Sequence, residues 1–305
     1  MNLKNTIMEL ITDYTFIVDK GWENGYHIHL RGPLDDESLQ KIIIELEKGV
    51  SDSIIKFDET EFIRRYKSIS EILENKTDPF KPILKGKVTV DIENSIFENE
   101  MENELFRESN HMFDLYYCRS YFNKNSLYAV IEDIMKFHNM LEAYEEPGST
   151  DAYNCHLSHY IAFNHRLNKQ SKESIEKHFK IQFEKELEAG LFEFDLSPTT
   201  LTKDLMNFFH KIRPLVKSRQ LNFYMPYDRK FIDKKINYGS KRHQETFSKD
   251  NMHNHLYNDV LIANRWITNA LYKKLLLLGL SNTDRFYMNY VISRLTYSED
   301  ELRDY

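Results

Sequence analysis

Two cysteines in 305 residues, Cys118 and Cys155, are too few for a disulfide framework or a zinc site. They fit a reducing, cytoplasmic setting in which both thiols are buried. The opening stretch, MNLKNTIMELITDYTF, carries Glu9 and Asp13 and has no small-residue cleavage site, so it does not read as a signal peptide. Only nine glycines occur, and none stands in a GxGxxG or GxxxxGKS/T loop, so no phosphate cradle is present. No apolar run nears the roughly 20 residues of a membrane span. The longest, LYKKLLLLGL at 271–280, is broken by Lys273 and Lys274. The formal net charge of −7 gives a nucleic-acid role no support. HExxH and the GxSxG elbow are also missing, which removes the familiar zinc-protease and serine-hydrolase signatures.

What is present fits a folded, soluble domain: 41% hydrophobic and 29% charged residues. The 20 Phe and 19 Tyr predict an aromatic core. Residues 3–18 give mixed helix and strand signals. Trp22 to Leu30 alternates and reads as a strand, with His27 and His29 on one face and Ile28 and Leu30 on the other. Gly32-Pro33 ends it, and Asp35 or Asp36 caps a helix near 36–50. Residues 54–66, with FIRRY, and 85–93, KGKVTVDIE, read as further strands. FENEMENELF reads as a loop. Helices follow at 109–123, 125–144, 152–167, 170–189 with Gly190 as C-cap, 199–211 with a break at Pro214, 251–279, and 283–295. The expectation is one α+β domain over 1–305, strand-rich to about 95 and helix-rich from 105.

Three polar strings carry the chemistry. NMHNHLYND at 251–259 holds His253, His255, Tyr257 and Asn258. YHIHLRG at 26–32 holds His27, His29 and Arg31, and CHLSHY at 155–160 holds Ser158 and His159. Such dense hydrogen-bonding groups are costly to bury unless partnered, so their convergence in one cleft is expected. A metal site is not expected: His253 and His255 diverge by about 200° if helical, and His27 and His29 lack a third ligand. Ser158 and His159 are sequence neighbours and do not face each other on a helix. The remaining chemistry is that of donors and proton carriers, with Arg31 forking onto oxygens and His moving protons near neutral pH. The plainer reading, that each His caps a helix or satisfies a carbonyl, stands beside it for each residue. A basic run at 229–249, including Lys234, Lys235 and Arg242, is either a solvated loop or a dock for an acidic peptide or phosphate.

Several strings together resemble the C-terminal, elimination-type domain of lantibiotic dehydratases, which also occurs alone in thiopeptide pathways. They are HIHLRGPLDDESL after Trp22; FIRRY; FDLYYCRSYFNKNSLYAVI at 113–131, with Phe122 and Ser126 at the family's phenylalanine and serine; the 253–259 string; and GLSNTDRFYMNYVISR. The departures point to one branch. After FIRRY no HxRxR strand follows, the YExExxRxGG segment is replaced by FENEMENELFRES, and Asn258-Asp259 stands where the family has Asn-Arg. Loss of these arginines, with CHLSHYIAF resembling an SHxxxF helix, is similar to the pyridine-forming macrocyclases of thiopeptide assembly, of the thiocillin and micrococcin type.

The resemblance implies a lantibiotic-dehydratase-like α+β fold and a formal [4+2] aza-cycloaddition. Two dehydroalanines of a thiazole-bearing precursor peptide join, and loss of water and leader peptide leaves a pyridine. It implies no cofactor and no metal. The expected partner is the ribosomally made precursor, not nucleic acid or membrane, and a homodimer stays open. Arg31 and Tyr257 are the expected carbonyl binders, and His159 and His255 the proton carriers. His27, His29, Arg65, Ser158, His253 and Asn258 are expected to line the substrate, and Lys234, Lys235 and Arg242 to bind the leader. The alternatives are a glutamate-elimination subunit, in which Arg31, Arg64 and Arg65 would share a channel, and a non-catalytic peptide scaffold.

Overall fold

The computed structural model describes residues 3–14, 16–21, 27–32, 36–51, 58–64, 86–90, 97–121, 126–144, 151–221, 241–246, 248 and 258–297. The chain divides into two compact units, residues 1–96 with 113–119 and residues 97–112 with 120–305. The class is α+β: many helices and, among the described residues, one two-stranded antiparallel sheet. No described helix is long and apolar enough to cross a membrane.

In the first unit, helices α1 (Leu3–Tyr14) and α2 (Asp36–Ser51) pack on each other. Strands β1 (Ile17–Gly21) and β2 (His27–Arg31) pair with Ile17 opposite Arg31 and Gly21 opposite His27. Period-two alternation turns Leu30 toward a cluster of Leu10, Phe16, Ile42 and Leu46. Full burial of a side chain such as Leu10, Phe16 or Ile42 stabilises by roughly 1.5–3 kcal/mol, and the partly buried Leu30 and Leu46 add less. The opposite face carries Asp19, His27, His29 and Arg31. The backbone N–H of Val18 is satisfied by the buried Asp114, which accepts at 3.1 Å. Without that carboxylate a buried donor would be stranded.

Two expected strands are different here. Residues 59–64 are helical: Asp58 accepts from the Glu61 N–H at 3.0 Å as a cap, and Phe62 is the buried contact. Lys87 to Val90 make no ladder among the described residues. The rest of that segment lies outside them.

Helix α3 (Glu100–Tyr117), followed by a 3-10 turn at Cys118–Ser120, contributes residues to both units. FENEMENELF is therefore largely helix, not loop. The second unit continues with α4 (Leu127–Tyr144), α5 (Asp151–Arg166), α6 (Lys169–Glu188), α7 (Thr200–Lys217), α8 (Lys241–Thr246), α9 (Asp259–Leu275) and α10 (Asn282–Thr296). Helix α9 is buried on most of its surface from Val260 to Leu275, with a half-buried stripe of Leu261, Arg265, Asn269 and Lys273. It packs on α7 and α5, and α10 packs on α5. Trp266 of α9 is fully buried and stacks on Phe97 at 5.6 Å.

Sequence-local chemistry sets the ends. Asn258 caps α9, Ser281 and Asp284 form a capping box on α10, and Thr199 and Thr202 do so on α7. Gly190, at φ 70°, ends α6 as its spacing predicts. Pro214 does not break α7, because the burial of Phe209, Ile212 and Val216 outweighs one lost hydrogen bond. Because Asn258 has extended backbone angles, α9 begins at Asp259, later than the expected 251. The buried Glu186 ties α6 to α4 and α10, accepting from Tyr128 at 2.5 Å and from Tyr287.

Candidate active site

Two polar constellations stand out, one in each unit. In the first, the sheet face foreseen from alternation is present. Arg31 donates to Asp19, a residue only 8% exposed, while Arg31 itself is half-buried. His27 and His29 bring their Nε2 atoms to 2.8 Å, so one ring donates and the other accepts. Gly21 makes this possible. A Cβ there would lie 2.0 Å from His27 Nε2 and 2.5 Å from His29 Nε2.

The second constellation lies on α5, α9 and α10. The expected proton carrier His159 is half-buried, and its ring meets the Tyr272 ring edge-on at 5.0 Å. Ser158 is also half-buried on α5. Below the surface runs a chain of buried polar groups. Tyr272 donates to Asn289 Oδ1 at 2.6 Å. His156 Nδ1 donates to the same oxygen at 2.8 Å, and its Nε2 stands 3.2 Å from His138 Nε2. Cys155 Sγ receives Asn264 Nδ2 at 3.3 Å and lies 3.5 Å from Thr268 Oγ1.

Burial and neighbours set the charges here. Burial would raise the Cys155 thiol, but the charge on His156, with hydrogen bonds from His156 and Thr268, brings it below its ordinary range. Burial would lower His156, but the Cys155 sulfur and the Asn289 oxygen raise it overall. His138 falls well below the ordinary imidazole range, first through burial and then through the charge on His156. Burial, then the negative charge of Cys155, pushes the Tyr272 hydroxyl well above its usual range, which keeps it an O–H donor.

One cation borders these groups and two more sit at the other end of α9. Arg285 lies with Cζ 5.5 Å from the Tyr272 centroid and 5.0 Å from that of Phe286. Phe286 in turn stacks on Phe163 at 3.7 Å. At the start of α9, Arg213 donates to Asp259 at 2.5 Å, and Lys217 stands 3.3 Å from the same oxygen. Asn258, a predicted substrate contact, spends its Oδ1 on the Leu261 N–H at 2.8 Å as the α9 cap. Arg64 forks onto Glu61 in the exposed helical turn at 59–64.

His253, His255, Tyr257, Arg65, Lys234 and Lys235 lie outside the described residues. Arg242 falls on α8, and its side chain is likewise outside them. Among the described residues no group of three or more His, Cys, Asp or Glu could hold a metal ion. Sequence reasoning missed His138, His156, Tyr272, Arg285 and Asn289. The usable signal was Asn289 itself, an amide inside the apolar run FYMNYVI, which burial obliges to find partners.

No protein-family model matches the chain, and no curated protein sequence matches it either. The solved structures do give a likeness: the pyridine synthase TbtD from thiomuracin biosynthesis, at a TM-score of 0.62 and 13% identity. The match covers 96% of this chain and 90% of that one. At that identity what is shared is the fold, and it is the fold of a thiopeptide pyridine synthase.

Proposed function

We propose that this chain is a pyridine synthase of thiopeptide assembly, acting on a ribosomally made precursor that carries thiazoles and dehydroalanines. The observation that carries this reading is the fold likeness to TbtD over nearly the whole chain. The sequence resemblance, drawn from other residues, points the same way. In the proposed reaction one dehydroalanine, through the iminol form of its flanking amide, serves as a 2-aza-diene. The other is its partner. Ring closure is followed by loss of water and then of the leader as an amide, so atoms balance without an oxidant or reductant.

Holding both ends of the peptide together supplies much of the rate. Donors aimed at the amide oxygen favour the iminol. Arg31 and Tyr257 are proposed for that task, and His159 and His255 for proton transfer in the two eliminations. His27, His29, Arg65, Ser158, His253 and Asn258 are proposed to line the peptide. Lys234, Lys235 and Arg242 are proposed to hold an acidic leader. The glutamate-elimination reading draws less support, since Arg31 and Arg64 each engage a carboxylate of their own, Asp19 and Glu61.

The test is mass spectrometry of a dehydrated, thiazole-bearing precursor incubated with the protein. Loss of water together with release of the leader supports the proposal. Release of glutamate from a glutamylated precursor, with no ring formed, replaces it with the alternative. His159→Ala is expected to slow pyridine formation about a hundred- to a thousandfold, the usual loss for one preorganised polar group.

A further inference from the structure

Helix α5 carries Phe163 one turn beyond His159, and residues four apart share one face of a helix. Phe163 closes the string CHLSHYIAF, whose Ser158 and His159 have proposed tasks while the phenylalanine has none. Its ring stacks on Phe286 of α10, with centroids 3.7 Å apart and planes 13° from parallel. Both side chains are half-buried.

The other ring contacts of α10 with α5 and α6 are built differently. Tyr160 meets Tyr290 at 67°, and Phe179 meets Tyr287 and Tyr290 at 58° and 51°. Phe179, Tyr287 and Tyr290 are buried. Tilted and edge-on pairs are the ones that ring quadrupoles favour, and a nearly face-to-face pair is favoured least. Core packing of α5 on α10 therefore gives no reason for a parallel pair that stays open to water. Arg285, with Cζ 5.0 Å from the Phe286 centroid, draws on the electron density of that ring and offsets part of the repulsion. Phe163 is left at the end of the stack. Among the described residues Phe286 is its one ring partner, and no cation borders it.

We propose that Phe163 is a substrate-binding residue that stacks on a thiazole ring of the precursor, one helical turn from His159. A thiazole is planar, uncharged and poorer in ring electrons than benzene, so it suits the open side of an electron-rich pair. The inference rests on the reading of the chain as a pyridine synthase. It names the group that selects thiazole-bearing peptides over their counterparts without the ring.

The test compares labelled precursors by fluorescence anisotropy on the full chain. They differ at a single thiazole, replaced by alanine at each position in turn. At one position the wild type should prefer the thiazole form roughly two- to tenfold, the strength of one aromatic pair. Phe163→Leu, checked for an unchanged melting profile, should lose that preference while binding the alanine form as the wild type does. Phe163→Trp should keep the preference, and its new indole reads the contact directly. Its emission should respond to the thiazole form beyond what Trp22 and Trp266 of the wild type account for, and respond less to the alanine form. Conversion is followed by mass spectrometry on the same proteins. A folded Phe163→Leu that keeps the wild-type preference overturns the inference, and the synthase reading stands if the wild type converts the peptide. Indole emission in Phe163→Trp that answers both forms alike overturns it as well, whether or not the leucine variant folds. A wild-type chain that neither binds nor converts the peptide removes the synthase reading and this inference with it.

Discussion

Among the described residues two imidazole pairs are built in opposite ways. His27 and His29 sit two apart on one strand, half-buried, with Nε2 atoms 2.8 Å apart in a space left by Gly21. His138 and His156 come from two helices, are fully buried, and stand 3.2 Å apart. The first pair owes its geometry to local alternation and a missing methyl group. The second owes its geometry to tertiary packing and is enclosed in a network of Asn289, Tyr272 and Cys155. Local pairs tolerate change at their rim. Enclosed pairs hold the fold around them and carry its pH dependence.

The comparison can be broken hardest at His156. His156→Leu removes one donor from Asn289 and the partner of His138 in a region that cannot admit solvent. A loss of about 2–4 kcal/mol is expected from leaving buried polar groups unmatched. Urea denaturation against the wild type measures it, and a loss below about 1 kcal/mol would show that the network is not holding the second unit together.

Next is Gly21→Val. The added side chain overlaps both imidazoles and must drive them off the sheet face. Overpacking of this kind costs about 1–3 kcal/mol. The discriminating control is a double variant in which His27 is also made Ala. Recovery of most of the loss assigns it to the imidazoles and not to the strand backbone.

His138 sharpens the contrast through pH. Its imidazole lies well below the ordinary imidazole range in the folded chain, by burial and by the charge of His156. The unfolded chain therefore binds this proton near pH 6.5 while the folded chain does not. Stability should fall as pH drops below that point, by up to about 1.4 kcal/mol per unit from this group. His138→Gln should flatten that part of the profile. Equal slopes for both proteins between pH 7 and pH 5.5 would contradict the assignment. The smallest effect belongs to Arg31→Met. Its pairing with the buried Asp19 leaves the guanidinium 26% exposed and should contribute about 1 kcal/mol, so a much larger loss would mark a deeper structural role.

How far the sequence led depends on what each segment buries. Strand β2, α2, α4, α6 and α10 follow from alternation, caps and apolar spacing, and the shared face of His27 and His29 follows from the two-residue period. The second half of α3 falls in the helix expected at 109–123, but its first half does not, because the buried Asn103 interrupts the apolar face carried by Leu105, Phe106, Phe113 and Tyr117. Asn103 is buried through bonds to the Phe97 backbone, which hydrophobic spacing cannot reveal. FIRRY read as a strand because Phe62 and Ile63 favour one, while the Asp58 cap decides locally for a helical turn. At the site, CHLSHY pointed to α5 and to His159. It could not show that His156 turns inward, since that depends on which face of α5 meets α9 and α10. Tyr272 and Arg285 gave no local pattern at all, because their meeting is made by helix packing.

Helix α9 has one further consequence. Most of its turns are buried, and only the stripe of Leu261, Arg265, Asn269 and Lys273 is partly open to water. Backbone amides on its buried faces have few local openings through which to exchange with solvent deuterium. They should exchange mainly when the whole unit unfolds. Tyr272 rides on that helix. The Tyr272 ring that borders His159 and Arg285 therefore sits on a slowly exchanging part of the second unit, as hydrogen-exchange mass spectrometry would show.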